Sequence, residues 1–292
     1  MLKKTDSEPY GFGILKWVSS EYLENNLEKY SVLDTQPNVH DYFMAHLPNA
    51  RFLNESTLRC PEKGLPARYI EPENAVKLFS RVGLEPSKPI VVYNAKGGFK
   101  KWGDGLEQCM MAYSLMRMGH RNVYLLDGGM DKWIKENRPI SQKFPNVDPT
   151  NFKLDLKSDY YVDMDAIKNL IDDDETVILD ARPHSFYTGE EGPWIKNGHI
   201  PGSISFPWAD LMTSENKTQL KPIHEIIEKA ENAEITKDKQ VICSCGTGRE
   251  ATNEFTIFKH LLNYPKVKLF EGAFTEWSSH PENTIITGKK PK

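Results

Sequence analysis

No run of this 292-residue chain approaches the roughly 18 consecutive apolar residues of a membrane-crossing helix. Its opening, Met1-Leu-Lys-Lys-Thr-Asp-Ser-Glu8, lacks the apolar segment of a signal peptide. The expectation is no membrane association and a cytoplasmic location, or a periplasmic one if a leader has been removed. Cysteine is scarce. Four residues (Cys60, Cys109, Cys243, Cys245) make no disulfide framework for a chain this long, and none forms a CxxC or His/Cys cluster of structural-zinc spacing. Excess positive charge is also missing: 37 Lys and Arg stand against 41 Asp and Glu, for a net charge of −4. Basic residues occur in short pairs such as Lys100-Lys101, so nucleic-acid and anionic-membrane partners are not expected. Apolar residues at 39% and aromatics at 11% suffice for a core, and the length suits two domains.

The stretch Gln240-Val-Ile-Cys-Ser-Cys-Gly-Thr-Gly-Arg-Glu250 is the most informative feature present. Val241, Ile242 and Cys243 read as a buried strand, with Cys243 as filler. Ala251, Phe255, Phe258, Leu261 and Leu262 mark one face of a following helix. Cys245 thus stands at a strand's carboxyl end, facing a helix start whose unpaired amides favour a thiolate and hold an anion. Glycines let the backbone curl around the sulfur. A nucleophilic cysteine and a small buried hydrophobe both fit this pattern taken alone.

The chain is also a repeat. His46-Leu-Pro-Asn-Ala50 resembles His199-Ile-Pro-Gly-Ser203, Ile90-Val-Val-Tyr-Asn94 matches Val241-Ile-Cys-Ser-Cys245, and Leu126-Asp-Gly-Gly with Trp133 matches Phe270-Glu-Gly-Ala with Trp277. All three fall in the same order about 150 residues apart, a common domain length. Strands at Val177–Asp180, Val241–Ser244 and Val267–Phe270 alternate with helical stretches marked by Ile167, Leu170 and Ile171 or by Leu106, Cys109, Met110, Tyr113 and Met116. Such alternation predicts an α/β fold with mainly parallel sheets flanked by helices, whose ligands lie beyond the strands' carboxyl ends. Residues 138–158 carry Pro139, Pro145 and Pro149 and read as an extended linker, so the expected domains are 1–148 and 149–292.

These residues resemble the tandem-domain form of the rhodanese (sulfurtransferase) family over nearly the whole chain. The resemblance is carried by Leu179-Asp-Ala-Arg182, Gly198-His-Ile-Pro-Gly202, Cys245-Gly-Thr-Gly-Arg-Glu250 and Glu271-Gly-Ala-Phe-Thr-Glu-Trp277 in the second copy, and by His46-Leu-Pro-Asn-Ala50 and Leu126-Asp-Gly-Gly129 in the first. It implies two rhodanese-like domains, the first catalytically silent because Asn94 stands at the cysteine position, and packed over the active face of the second. It implies that Cys245 takes sulfur from thiosulfate or a mercapto-acid as a persulfide. The sulfur then passes to cyanide, a thiol or a protein acceptor, with ping-pong kinetics and no cofactor. The substrate-binding set it implies is Gly246, Thr247, Gly248, Arg249, Glu250 and Arg182, with the loop amides stabilising the anionic persulfide.

Several residues keep two readings. Arg249 either attracts an anionic donor or faces solvent. Thr247 either assists proton transfer or ties the loop, and Arg182 either lines the pocket or pairs with a carboxylate. His199 reads as a turn-fixing residue, and Trp133 and Trp277 as packing. The donor stays open: Cys-Gly-Thr-Gly resembles the mercaptopyruvate-type loop, but Phe186-Tyr187 and Phe52-Leu-Asn-Glu-Ser56 lack the arginine and aspartate of that type. A phosphatase would need an arginine where Ala251 stands. A sulfur carrier loaded by a protein partner would need the same reactive Cys245.

Overall fold

The computed structural model describes residues 3–291; Met1 and Leu2, which head the N-terminal stretch, and Lys292 lie outside the described residues. Its strands in chain order are β1 (Leu15–Val18), β2 (Ser31–Asp34), β3 (Arg51–Phe52), β4 (Arg59–Glu62), β5 (Leu65–Tyr69), β6 (Ile90–Tyr93), β7 (Val123–Leu126), β8 (Tyr161–Val162), β9 (Thr176–Asp180), β10 (Ser203–Ser205), β11 (Gln240–Ser244) and β12 (Val267–Phe270). They form two five-stranded sheets and the small pair β4–β5. The chain divides into two compact units. One holds the described residues through Arg59 with Ile70–Lys157 and Met212–Ile223; the other holds Cys60–Tyr69, Ser158–Leu211 and the residues from His224 onward.

In the first unit the sheet order is β1-β7-β6-β2-β3, and every pairing is parallel. Ile90, Val91, Val92 and Tyr93 are fully buried, as befits a central strand covered on both faces. The helix Glu107–Arg117 is buried along its whole length, so Cys109, Met110, Tyr113 and Met116 are core. Between the helix that ends at Lys135 and the 3₁₀ turn at Ser158 the chain has no regular element, as Pro139, Pro145 and Pro149 lead one to expect.

The second unit's sheet runs β10-β9-β11-β12-β8, again all parallel. Cys243 lies opposite Leu179 of β9 and Leu269 of β12, in the middle of the sheet. The following helix differs from its sequence pattern in one respect. It is α-helical over Ala251–Thr256 and widens to a π-helical segment over Ile257–Leu261. Phe255, Phe258, Leu261 and Leu262 all remain buried across the change, so the apolar face persists.

The repeat is visible in atomic detail. His46 directs its ring nitrogens at the carbonyls of Tyr42 (2.8 Å) and Lys143 (3.2 Å) and stacks on the Tyr42 ring. His199 directs its own at the carbonyls of Tyr187 (2.7 Å) and Lys290 (3.1 Å) and stacks on Tyr187. Burial lowers the His199 pKa, and the neutral ring carries one N–H, so it donates to one of these two carbonyls at a time. The indole N–H groups of Trp133 and Trp277 donate to the carbonyls of Pro139 and Thr284. Among the described residues, no helix is long and apolar enough to cross a membrane.

Candidate active site

β11 ends at Ser244, and the next residue, Cys245, opens a loop that closes at Ala251, the first residue of the helix. The Gly248 amide donates to Cys245 Sγ at 3.1 Å, and the amides of Thr247 and Ala251 also favour a charged sulfur. The Gly246 amide faces the Glu250 carboxylate instead, 3.4 Å from Oε2. Three of the loop's carbonyls are held from outside. That of Cys245 accepts from the Phe274 amide at 2.8 Å, and that of Gly246 accepts from the amide and hydroxyl of Thr275 at 3.0 and 2.7 Å. That of Gly248 accepts from the Tyr69 hydroxyl at 3.0 Å. Gly248 has φ +78°, and a Cβ there would lie 2.8 Å from the Glu271 carbonyl oxygen, so glycine is required. The Glu271–Trp277 motif therefore acts as a clamp on the loop.

The electrostatics differ from what the strand–loop–helix pattern leads one to expect. Cys245 is fully buried, and its thiol pKa is pushed up to about 12, first by burial and then by the Glu250 carboxylate; Asp180 adds to the rise. The Ala251 and Thr247 amides pull the other way and lose. The resting group is a thiol, because burial first, and the nearby carboxylates after it, outweigh the amides' positive field. Glu250 is itself raised, chiefly by burial, while the Gly246 amide, the Cys245 thiol and Arg182 favour its charged form. Glu254 is fully buried, its two oxygens make no hydrogen bond among the described residues, and burial, then Asp180 and Glu250, push its pKa well up. The Cys243 thiol is also raised well above its ordinary value, first by burial.

Arg182 is fully buried. Its Nε lies 2.9 Å from Asp180 Oδ1, and its Nη2 donates to Asp180 Oδ2 at 2.6 Å and to the Gly198 carbonyl at 2.7 Å. The guanidinium lies 4.2 Å from the Phe274 ring centre and 5.0 Å from that of Trp194. Its Nη1 makes no hydrogen bond among the described residues. Thr247 and Arg249 are half-buried, and the Arg249 carbonyl accepts from the Thr252 hydroxyl at 2.7 Å. Sequence reasoning missed Trp194, which lies beside Gly246 and donates to Thr275 Oγ1 at 2.9 Å. It also missed Tyr69 and Thr275. Nothing local marks any of the three, since their roles come from contacts distant in sequence. Among the described residues no group of three or more His, Cys, Asp or Glu is placed to hold a metal ion.

Comparison with known proteins decides the family. The rhodanese-like domain matches twice, at residues 19–136 and 163–280. This chain belongs to the rhodanese-like family. A rhodanese-like relative from Synechococcus elongatus, assigned as a thiosulfate sulfurtransferase, is 32% identical over 268 residues, covering 89% of this chain and 81% of its own. The sulfur carrier protein TtuD of Thermus thermophilus is 27% identical, covering 94% of this chain and 97% of its own. In solved structures, the fold is shared with an anaerobic ergothioneine biosynthesis enzyme of Chlorobium limicola, with a TM-score of 0.82 and 21% identity over 93% of this chain and 70% of that one.

The first rhodanese-like repeat reproduces the loop anchor without the sulfur. The Asn94 carbonyl accepts from the Met130 amide at 2.9 Å, as the Cys245 carbonyl accepts from Phe274. The Asn94 side chain is buried and donates to the Glu107 carboxylate. Two residues on, the Lys96 amide is turned to Asp131 Oδ2 at 2.8 Å.

Proposed function

We propose that this rhodanese-like chain is a sulfurtransferase in which Cys245 takes a sulfane sulfur from a small anionic donor, thiosulfate or a mercapto-acid, and passes it to cyanide, a thiol or a protein thiol. The observation that carries this reading is the Cys245 sulfur at the end of β11 with the Gly248 amide 3.1 Å away and the Thr247 and Ala251 amides also acting on it. These groups suit a persulfide, which is anionic near neutral pH, better than the neutral thiol they now surround. With thiosulfate, the thiolate attacks the outer sulfur, a new S–S bond forms, and sulfite leaves with the electrons of the old one. An acceptor such as cyanide then attacks the outer sulfur of the persulfide and leaves as thiocyanate, restoring the Cys245 thiolate.

In this reading Gly246, Thr247, Gly248, Arg249 and Glu250 form the binding loop. Arg182, locked to Asp180, offsets the negative charge beside the loop. The second domain, 149–292, is catalytic, and the first, 1–148, is silent because the Asn94 amide is no sulfur nucleophile. All four cysteines are free thiols, which fits a reducing cytoplasm. No cofactor is required.

The test is the intact mass of the reduced protein after thiosulfate and, separately, after 3-mercaptopyruvate. A gain of one sulfur on Cys245, lost on addition of cyanide and absent in Cys245→Ser, is expected. No gain from either donor would refute the reading. The likeness to TtuD favours a second reading, a sulfur carrier. Stoichiometric loading without turnover on small acceptors would select it.

A further inference from the structure

We propose that the Glu250 carboxylate takes the proton from the resting Cys245 thiol and keeps it for as long as the persulfide exists, making Glu250 a catalytic residue. The inference rests on Cys245 being the sulfur-bearing nucleophile.

Glu250 occupies the position just before the helix that begins at Ala251, yet its side chain makes no capping bond to that helix. It turns back into the loop, where Oε2 lies 3.4 Å from the Gly246 amide and the carboxylate accepts from the Cys245 thiol. The other acids nearby are unsuited to the role. Both Asp180 oxygens are occupied by the Arg182 guanidinium, and Asp180 Oδ1 also accepts the Arg182 amide at 3.1 Å. Glu254 lies fully buried, and among the described residues its carboxylate has no hydrogen-bond partner. The charges acting on the pair are thus Asp180 and Arg182 from the end of β9, while Glu254 on the helix is itself pushed towards its protonated form by burial and by Asp180 and Glu250.

The charge count supports the assignment. The resting pair, thiol and carboxylate, carries one negative charge. After the proton moves and thiosulfate has delivered its sulfur, the pair is a persulfide anion and a carboxylic acid, again one negative charge. A persulfide beside an ionised Glu250 would place two negative charges side by side at a fully buried sulfur with Asp180 close by, which is costly where little water reaches. When cyanide removes the outer sulfur, the returning thiolate recovers the proton from Glu250, and no proton need cross the buried site.

The test is the single-turnover rate of persulfide formation from thiosulfate, read by quenched intact mass between pH 6 and 9.5. The proteins compared are the wild type, Glu250→Gln and Glu250→Asp. An internal acceptor predicts a wild-type rate that is flat from pH 7 to 9. In Glu250→Gln the rate should fall about a hundred-fold at pH 7, the scale of one general base, and then climb with pH. Glu250→Asp should recover part of the loss. If Glu250 were only an unfavourable charge, Glu250→Gln would ease ionisation of Cys245 and speed the step, which would overturn the proposal. A wild-type rate rising about ten-fold per pH unit across that range would overturn it too, without any variant. Failure of the underlying reading looks different: no sulfur is gained by the wild type, or the gain survives in Cys245→Ser.

Discussion

The Tyr69 hydroxyl donates to the Gly248 carbonyl at 3.0 Å, joining residues 179 positions apart at the middle of the cysteine loop. Beside it, Arg68 Nη1 pairs with Glu276 Oε1 at 2.6 Å and pins the same strand, β5, to the helix Ala273–Ser279. Removing the hydroxyl frees the carbonyl while leaving the ring in place. Tyr69→Phe is expected to slow persulfide formation roughly five-fold, the equivalent of one hydrogen bond of about 1 kcal/mol. Single-turnover kinetics with calorimetry would check this; an unchanged rate would mean the loop is held without Tyr69.

Gly248 allows a two-part test of backbone constraint. Gly248→Ala adds both an unfavourable φ and a clash with the Glu271 carbonyl, whereas Gly64 has φ +82° and open space around its Cα. Gly64→Ala should cost about 1 kcal/mol in strain alone, and Gly248→Ala about 3 kcal/mol. Urea unfolding monitored by tryptophan fluorescence separates the two; equal costs would show that the Glu271 contact relaxes freely.

Restoring a cysteine to the first repeat should not restore chemistry. In a Cys245→Ser background, Asn94→Cys would place a thiol beside Glu107, but the Lys96 amide is committed to Asp131. No sulfur should be gained from thiosulfate by intact mass. A gain would show that the first loop needs only its nucleophile.

Acid should weaken the protein through His120. Burial lowers its pKa from 6.5 to about 4, and the neutral ring accepts from the Asn122 amide through Nδ1 at 3.3 Å. Between pH 6.5 and 4 the unfolded chain binds this proton and the folded chain does not. The contribution is therefore complete above pH 6.5 and is lost as pH falls towards 4, on the order of 3 kcal/mol. Asp34, raised from 3.8 to about 6 by burial, acts oppositely, since from pH 6 down to 3.8 only the folded state holds its proton. The difference between wild type and His120→Gln in denaturant unfolding across this range isolates the histidine. Parallel pH curves for the two proteins would contradict the assignment.

Much of the fold could be read from local pattern. Val177–Asp180, Val241–Ser244 and Val267–Phe270 lie within β9, β11 and β12, and the ring contacts of His46 and His199 match, as their shared motif implies. The π-helical segment at Ile257–Leu261 left no mark in the sequence, because the apolar spacing of Phe255, Phe258 and Leu261 tolerates it. The clamp function of Glu271–Trp277 was hidden for another reason: it consists of backbone amides and one threonine hydroxyl, which carry no chemical signature of their own.

The residue order was enough to place Cys245 between a buried strand and a helix and to reveal the repeat, since periodicity and motif spacing are properties of neighbouring residues. It was not enough to give the state of that cysteine. Whether the sulfur rests as thiol or thiolate depends on a balance between its full burial, the loop amides and the carboxylates of Glu250 and Asp180. Folding alone sets that balance, because burial and Coulomb energy depend on distances in space, and those distances bring together residues as remote in sequence as Tyr69, Asp180 and Cys245.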